Sequence, residues 1–145
     1  MCHNYLMPSY ELRIGVKALI PRDKGRYLFL QRSHNLPDGS GIRWDTPGGH
    51  MEDDDETLKE ALAREVDEET KLLVVGTPDV INAQDIILPN QGLHIVRITM
   101  LADAIGEVVL NPNEHQDQCL ATIPEALETL NVDDYLRITL HKLLK

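Results

Sequence analysis

Cysteine is scarce in this chain. Cys2 and Cys119 are its only two, too few for a disulfide framework, and both are read as free thiols of a reducing cytoplasm. Long apolar runs are also missing, which excludes a membrane-crossing helix. The opening stretch Met1 to Pro8 lacks the basic, apolar and small-residue order of a secretion signal. Basic residues are outnumbered, 14 against 24 acids, and the net charge of −10 excludes general nucleic-acid binding, which wants a basic surface. No internal repeat and no low-complexity segment interrupts the sequence.

What is present fits a globular protein. A hydrophobic content of 42% in 145 residues is enough for one domain, 1–145, with a real core. The charge is concentrated: residues 51–69 hold ten of the acids and two of the bases, a local −8 that leaves −2 for the rest. A local acidic excess is compatible with an anionic substrate if a bound cation inverts the field.

Branched residues make Leu12 to Ile20 a strand. The turn Asp23-Lys24-Gly25 makes Tyr27 to Arg32 its hairpin partner. A loop rich in Pro, Asp and Gly follows from Ser33 to Gly41, then a short strand from Ile42 to Thr46. Beyond the acidic region, Leu72 to Val75 and Val80 to Ile87 read as two strands with a turn near Gly76-Thr77-Pro78. His94 to Ala102 is a further strand, Asn111 to Gln118 a polar loop, and Cys119 to Ile123 a last short strand, with Cys119 as a small core residue. Pro124 to Leu130 is a helical turn. Asp133 to Lys145 is an amphipathic helix with Leu136, Leu140 and Leu143 or Leu144 facing the core. The mixture implies an α/β fold with a mixed central sheet and helices on both sides.

The most informative stretch is Gly48 to Leu72. Thr57, with Glu60 three residues on, makes a capping box at the start of a helix. Leu58, Ala61, Leu62 and Val66 form its apolar stripe. Glu65, Glu68 and Glu69 project side by side next to that stripe. Like charges at this spacing cost a few tenths of a kcal/mol each, near the helix end where the dipole also disfavours anions. A solvated acidic face is one reading. A site for a hard divalent cation such as Mg²⁺, which takes carboxylate oxygens and leaves room for water and phosphate, is the other. A Ca²⁺ loop at Asp53-Asp54-Asp55-Glu56 fails, for it lacks alternating ligands and a mid-loop glycine.

With Trp44-Asp45-Thr46-Pro47-Gly48-Gly49-His50 leading in, Glu56 next, and Arg64-Glu65-Val66-Asp67-Glu68-Glu69 following seven residues later, the stretch resembles the signature of the Nudix hydrolases. Two departures stand out. Six residues instead of five separate Gly49 from Glu56, an extra residue expected to bulge outward through Asp53 to Asp55, and Lys71 replaces the final glycine. The resemblance implies an α/β/α sandwich and cleavage of a diphosphate linkage in a nucleoside diphosphate derivative, a nucleoside triphosphate or a nucleotide sugar such as ADP-ribose. It implies Mg²⁺, with Mn²⁺ as a substitute, held by Glu65, Glu69 and the Gly48 carbonyl. Glu68 is then a further ligand or the base for the attacking water. Arg64 orients Glu56 through a charge-assisted pair. Glu114 is the candidate for a second acidic element from a distant loop, with a solvated loop acid as the equal alternative. The partner implied is a small nucleotide, with no membrane and with room for a homodimer. A non-catalytic module on the same fold is the rival reading.

Other candidates stay open. His115 is a base, a phosphate contact or neither. Trp44, the only tryptophan, stacks on a base or belongs to the core. Arg32, Arg43 and Arg97 are unranked contacts for phosphate or base. Glu52 is an outer ligand or loop charge, and His50 and His94 read as structural or exposed. Pro89 is a weak hint of an ADP-ribose hydrolase.

Overall fold

The computed structural model describes residues 9–37, 39–52 and 56–144. The expected outward bulge at Asp53 to Asp55 lies outside the described residues, as does Cys2. Strands β1 (Glu11–Leu19), β2 (Tyr27–Asn35), β3 (Ile42–Asp45) and β4 (Gly48–His50) precede helix α1 (Leu58–Thr70). Then come β5 (Leu73–Leu88), β6 (Leu93–Ile105), β7 (His115–Ala121), α2 (Ile123–Thr129) and α3 (Asp134–Lys142). A mixed sheet has the order β4-β1-β6-β5, with β1 parallel to β6 and the other pairs antiparallel. A smaller antiparallel sheet has the order β3-β2-β7.

Period-two alternation builds two cores. Val16, Ala18 and Ile20 face one way with Leu28, Leu30, Met100 and Ala102, and α1 covers them with Ala61, Leu62 and Val66. Leu19, Phe29 and Leu101 face the other way, where α2 and α3 cover them with Ile123, Ala126, Leu136 and Leu140. The helices thus lie on both sides, as expected. The last helix departs at its end: Leu143 packs against this second core, but Leu144 is exposed.

Three strand assignments are corrected. The hairpin between the first two strands does not form. β1 is flanked by β4 and β6, and β2 enters the other sheet; between them the turn keeps the Pro21–Tyr27 bridge, the Leu28 N–H bond to the Ile20 carbonyl and the Arg22 N–H bond to the Arg26 carbonyl. A short turn identifies neighbours in sequence but cannot exclude better partners from far away. The two strands around Gly76 are one strand, β5, whose pairing with β6 shifts register between Val75 and Asp79 and again between Val80 and Asn82. The Gly-Thr-Pro signal therefore marks a bulge, not a turn. The polar loop Asn111 to Gln118 is strand from His115 onward, paired with β2 so that His115 sits opposite Arg32. An edge strand with polar residues lacks the apolar run that betrays a buried one.

Helix α1 begins as its sequence dictates. Thr57 accepts the Glu60 N–H at 3.1 Å, and the Thr57 hydroxyl donates to Glu60 Oε1 at 3.1 Å. At the other end Lys71 takes the left-handed conformation, φ 63°, that its glycine-like position demands, and its N–H bonds the Asp67 carbonyl. A residue with a Cβ is strained there by about 1 kcal/mol. Lys71→Gly is therefore expected to stabilise the protein by roughly 0.5–1 kcal/mol, read as a higher urea midpoint at unchanged slope. A lower midpoint would show that the lysine side chain compensates for the strain.

Candidate active site

Helix α1 carries its glutamates against the glycine strand β4. Glu69 lies three residues beyond Val66 and seven beyond Leu62, on the core-facing side, and is 7% exposed. Its Oε2 accepts the Gly48 N–H at 2.9 Å. Glu65 lies against Gly49, where an added Cβ would stand 2.5 Å from the Glu65 Cδ and 2.6 Å from each of its oxygens. At Gly48 a Cβ would meet the Val16 carbonyl oxygen at 2.0 Å. The glycine pair therefore lets β4 lie between β1 and the carboxylates of α1.

Arg64 ties this arrangement together. Its Nε donates to Glu56 Oε2 at 2.8 Å and its Nη2 to Glu56 Oε1 at 3.0 Å, a bidentate pair. Nη1 donates to Glu65 Oε1 at 2.9 Å, and Nη2 also reaches the His50 carbonyl at 3.1 Å. Glu56 accepts the Glu52 N–H as well, so the chain on both sides of the acidic loop is anchored. The hydrogen bonds from Arg64 hold Glu56 below the usual carboxylate range. Glu68 is reached by Arg64 only at 3.4 Å, its side chain is 56% exposed, and it is not among the residues lining the cavity.

That cavity, about 780 Å³, opens beside the two glycines. Glu65, Glu69 and Glu114 line its acidic end; Lys17, Arg32, Arg43 and Arg97 also line it. Glu114 arrives from far along the chain because β7 pairs with β2. Its carbonyl accepts the Ser33 N–H, and the Ser33 hydroxyl binds the Pro112 carbonyl. Burial pushes Glu69 up to about 7, against the pull of Lys17 and the Gly48 N–H and with help from Glu114 and Glu65. Burial also raises Glu65, opposed by Arg64. Carboxylates crowded and desolvated in this way want a cation, and the oxygen-rich donor set fits a hard divalent ion.

Lys17 escaped the sequence, and the other candidates find their places. Lys17 donates to Asp45 Oδ2 at 2.8 Å and to the Thr46 carbonyl at 3.2 Å. Burial works to raise Asp45, but Lys17, Arg97 and the Thr46 N–H together outweigh it and the net shift is downward. A lone lysine inside the apolar strand Leu12 to Ile20 was the available signal. His115 is buried at 4% exposure, and that burial, with Arg32 and Lys17 nearby, lowers its pKa to about 4. His50 lines the cavity with a pKa lowered mainly by burial. Trp44 lines the cavity and also packs against the second core. Arg97 bonds Asp133 at 3.1 Å and lies over the Tyr135 ring. Pro89 opens a short 3₁₀ turn and is not among the residues lining the cavity. His94 is occupied by Asp85.

A family model described as the NUDIX domain matches residues 11–141. The chain belongs to the Nudix hydrolase family. Solved Nudix structures superpose along nearly its whole length. A MutT protein from Methanosarcina mazei Go1 is 31% identical, with a TM-score of 0.76 over 92% of this chain and 93% of that one. A MutT NUDIX hydrolase from Burkholderia pseudomallei is 26% identical, with a TM-score of 0.77 over 92% and 98%. The E. coli ORF135 protein, at 23% identity and a TM-score of 0.78 over 95% and 92%, shares the fold. The comparison with curated proteins gives no match. This Nudix hydrolase is a pyrophosphohydrolase of the family's general type, and no helix among its described residues is long and apolar enough to cross a membrane.

Proposed function

We propose that this Nudix hydrolase uses Mg²⁺, with Mn²⁺ as a substitute, to hydrolyse the diphosphate linkage of a nucleoside diphosphate derivative. The observation that carries the reading is the packing of Glu65 and Glu69 onto Gly49 and Gly48 at the acidic end of a cavity that also bears four cationic side chains. Glu65, Glu69 and the Gly48 carbonyl would hold the ion, which when bound would supply positive charge to phosphoryl oxygens and acidify water. Arg64 fixes Glu65 and Glu56, holds Glu56 ionised and opposes the effect of burial on Glu65. Glu114, in the cavity wall, accepts the proton of the attacking water as its oxygen bonds to phosphorus and the bridging P–O bond breaks toward the leaving phosphate. The exposed Glu68 fits an outer role better than that one. Lys17, Arg32, Arg43 and Arg97 supply attraction for the substrate's phosphates, and Trp44 a face for its base.

The test is phosphate release, with a coupled phosphatase, from a panel of nucleoside triphosphates and nucleotide sugars including ADP-ribose. EDTA is expected to abolish turnover, and Mg²⁺ or Mn²⁺ to restore it. Full activity in EDTA would overturn the metal-site reading, and a panel without any nucleotide substrate would overturn the substrate class.

A further inference from the structure

The hydrolytic reading leaves one buried polar ring without a task. His115 opens β7, and its Nδ1 is buried without a hydrogen-bond partner among the described residues. A ring nitrogen of His115 and one carboxylate oxygen each from Glu69 and Glu114 lie within 4.8 Å of one another. Ligand atoms around a small divalent ion, bonded at about 2.0–2.2 Å, stand roughly 3–4.4 Å apart, so an inward movement of the side chains by up to about an ångström closes the set. Lys17 and Arg32 approach this region too, but Asp45 takes contacts from both, at 2.8 and 3.6 Å, which offsets their charge.

We infer that His115 joins Glu69 and Glu114 in a mixed nitrogen and oxygen site that prefers a borderline divalent ion, Co²⁺, Ni²⁺ or Zn²⁺, to Mg²⁺. The chemistry is that of the donors. Mg²⁺ takes oxygen almost exclusively, whereas imidazole suits later first-row ions, whose affinities also rise along the series. The site shares Glu69 and Glu114 with the proposed hydrolytic centre and so deepens that reading. The imidazole makes the chain's choice of metal differ from that of an all-oxygen centre.

The experiment uses the whole protein, freed of metal and titrated with Co²⁺. In the wild type, Co²⁺ is expected to bind at least about tenfold tighter than Mg²⁺ by calorimetry. The proton NMR spectrum should gain a solvent-exchangeable, paramagnetically shifted imidazole N–H resonance, and this readout needs no variant to fold. His115→Ala is expected to lose that resonance and about tenfold or more in Co²⁺ affinity. Its Mg²⁺ affinity should change less than about twofold. A wild-type Co²⁺ complex without a shifted imidazole signal overturns the inference. So does a His115→Ala protein that keeps its Co²⁺ affinity while losing turnover, since the ring would then act on water or phosphate. Either result leaves the hydrolytic reading standing, which is removed instead by full turnover in EDTA or by a panel without any nucleotide substrate.

Discussion

Glu69→Gln should lower kcat at saturating Mg²⁺ by about a hundredfold or more, the order expected when a metal-held phosphoryl transfer loses one charged ligand. The substitution keeps shape and the acceptor for the Gly48 N–H, so the strand-to-helix contact survives. The fold should gain, because a buried carboxylate raised to about 7 is held at a cost when ionised. Its pKa in the unfolded chain is the ordinary 4.5, so between about 4.5 and 7 the folded protein binds the extra proton and stability falls as pH rises. His115 acts in the opposite sense. Its pKa falls from 6.5 to about 4, so the unfolded chain binds more protons in that window and stability rises with pH. The two nearly cancel in the wild type. The variant separates them: without metal, the stability advantage of Glu69→Gln should grow from pH 4.5 to 7, toward an upper bound of about 3 kcal/mol. Thermal unfolding in EDTA across that range, beside kcat, measures both. An active variant, or one destabilised at neutral pH, would make Glu69 scaffold.

The helix of this site was legible in the sequence because every signal for it is local. Thr57 and Glu60 mark its start, the stripe from Leu58 to Val66 its buried face, and the Arg64–Glu65–Glu69 spacing its chemistry. The partners delivered by the sheets were harder to see. Lys17 lies opposite Gly48 in the β1–β4 pairing, and His115 lies opposite Arg32 in the β2–β7 pairing. Neither register is written in the residues that flank it. The same reason undid the hairpin. A turn at Lys24-Gly25 brings β1 and β2 together locally, but β1 pairs both its edges with β4 and β6, two strands from elsewhere in the chain, while its two faces enter the two cores. Lys71 shows the reverse: a residue that looks wrong for its position adopts the backbone of the glycine it replaces.

Gly49→Ala should leave a folded protein with kcat lowered roughly ten- to a hundredfold, the scale on which a displacement of about 1 Å acts on a reacting centre. The added methyl would overlap the Glu65 carboxylate, 2.5 Å from its Cδ, which is the end of a side chain and can move. It cannot move freely. Arg64 Nη1 holds Glu65 Oε1 at 2.9 Å while the same guanidinium grips Glu56, so relief comes by turning the carboxylate out of its place in the cavity wall. Metal affinity should fall with kcat, and the urea midpoint should move little because the shift is confined to one half-buried side chain. The neighbouring glycine supplies the contrast. At Gly48 the methyl would meet the Val16 carbonyl oxygen at 2.0 Å and the Lys17 Cα at 2.9 Å, backbone atoms of a central strand. No rotamer relieves that overlap, so β4 must part from β1. Gly48→Ala is therefore expected to cost about 3 kcal/mol or more in stability. Calorimetric Mg²⁺ binding and denaturant unfolding of the two variants decide the matter. If Gly49→Ala binds Mg²⁺ and turns over as the wild type does, the seat of Glu65 on β4 does not position the metal, and the assignment of Glu65 falls.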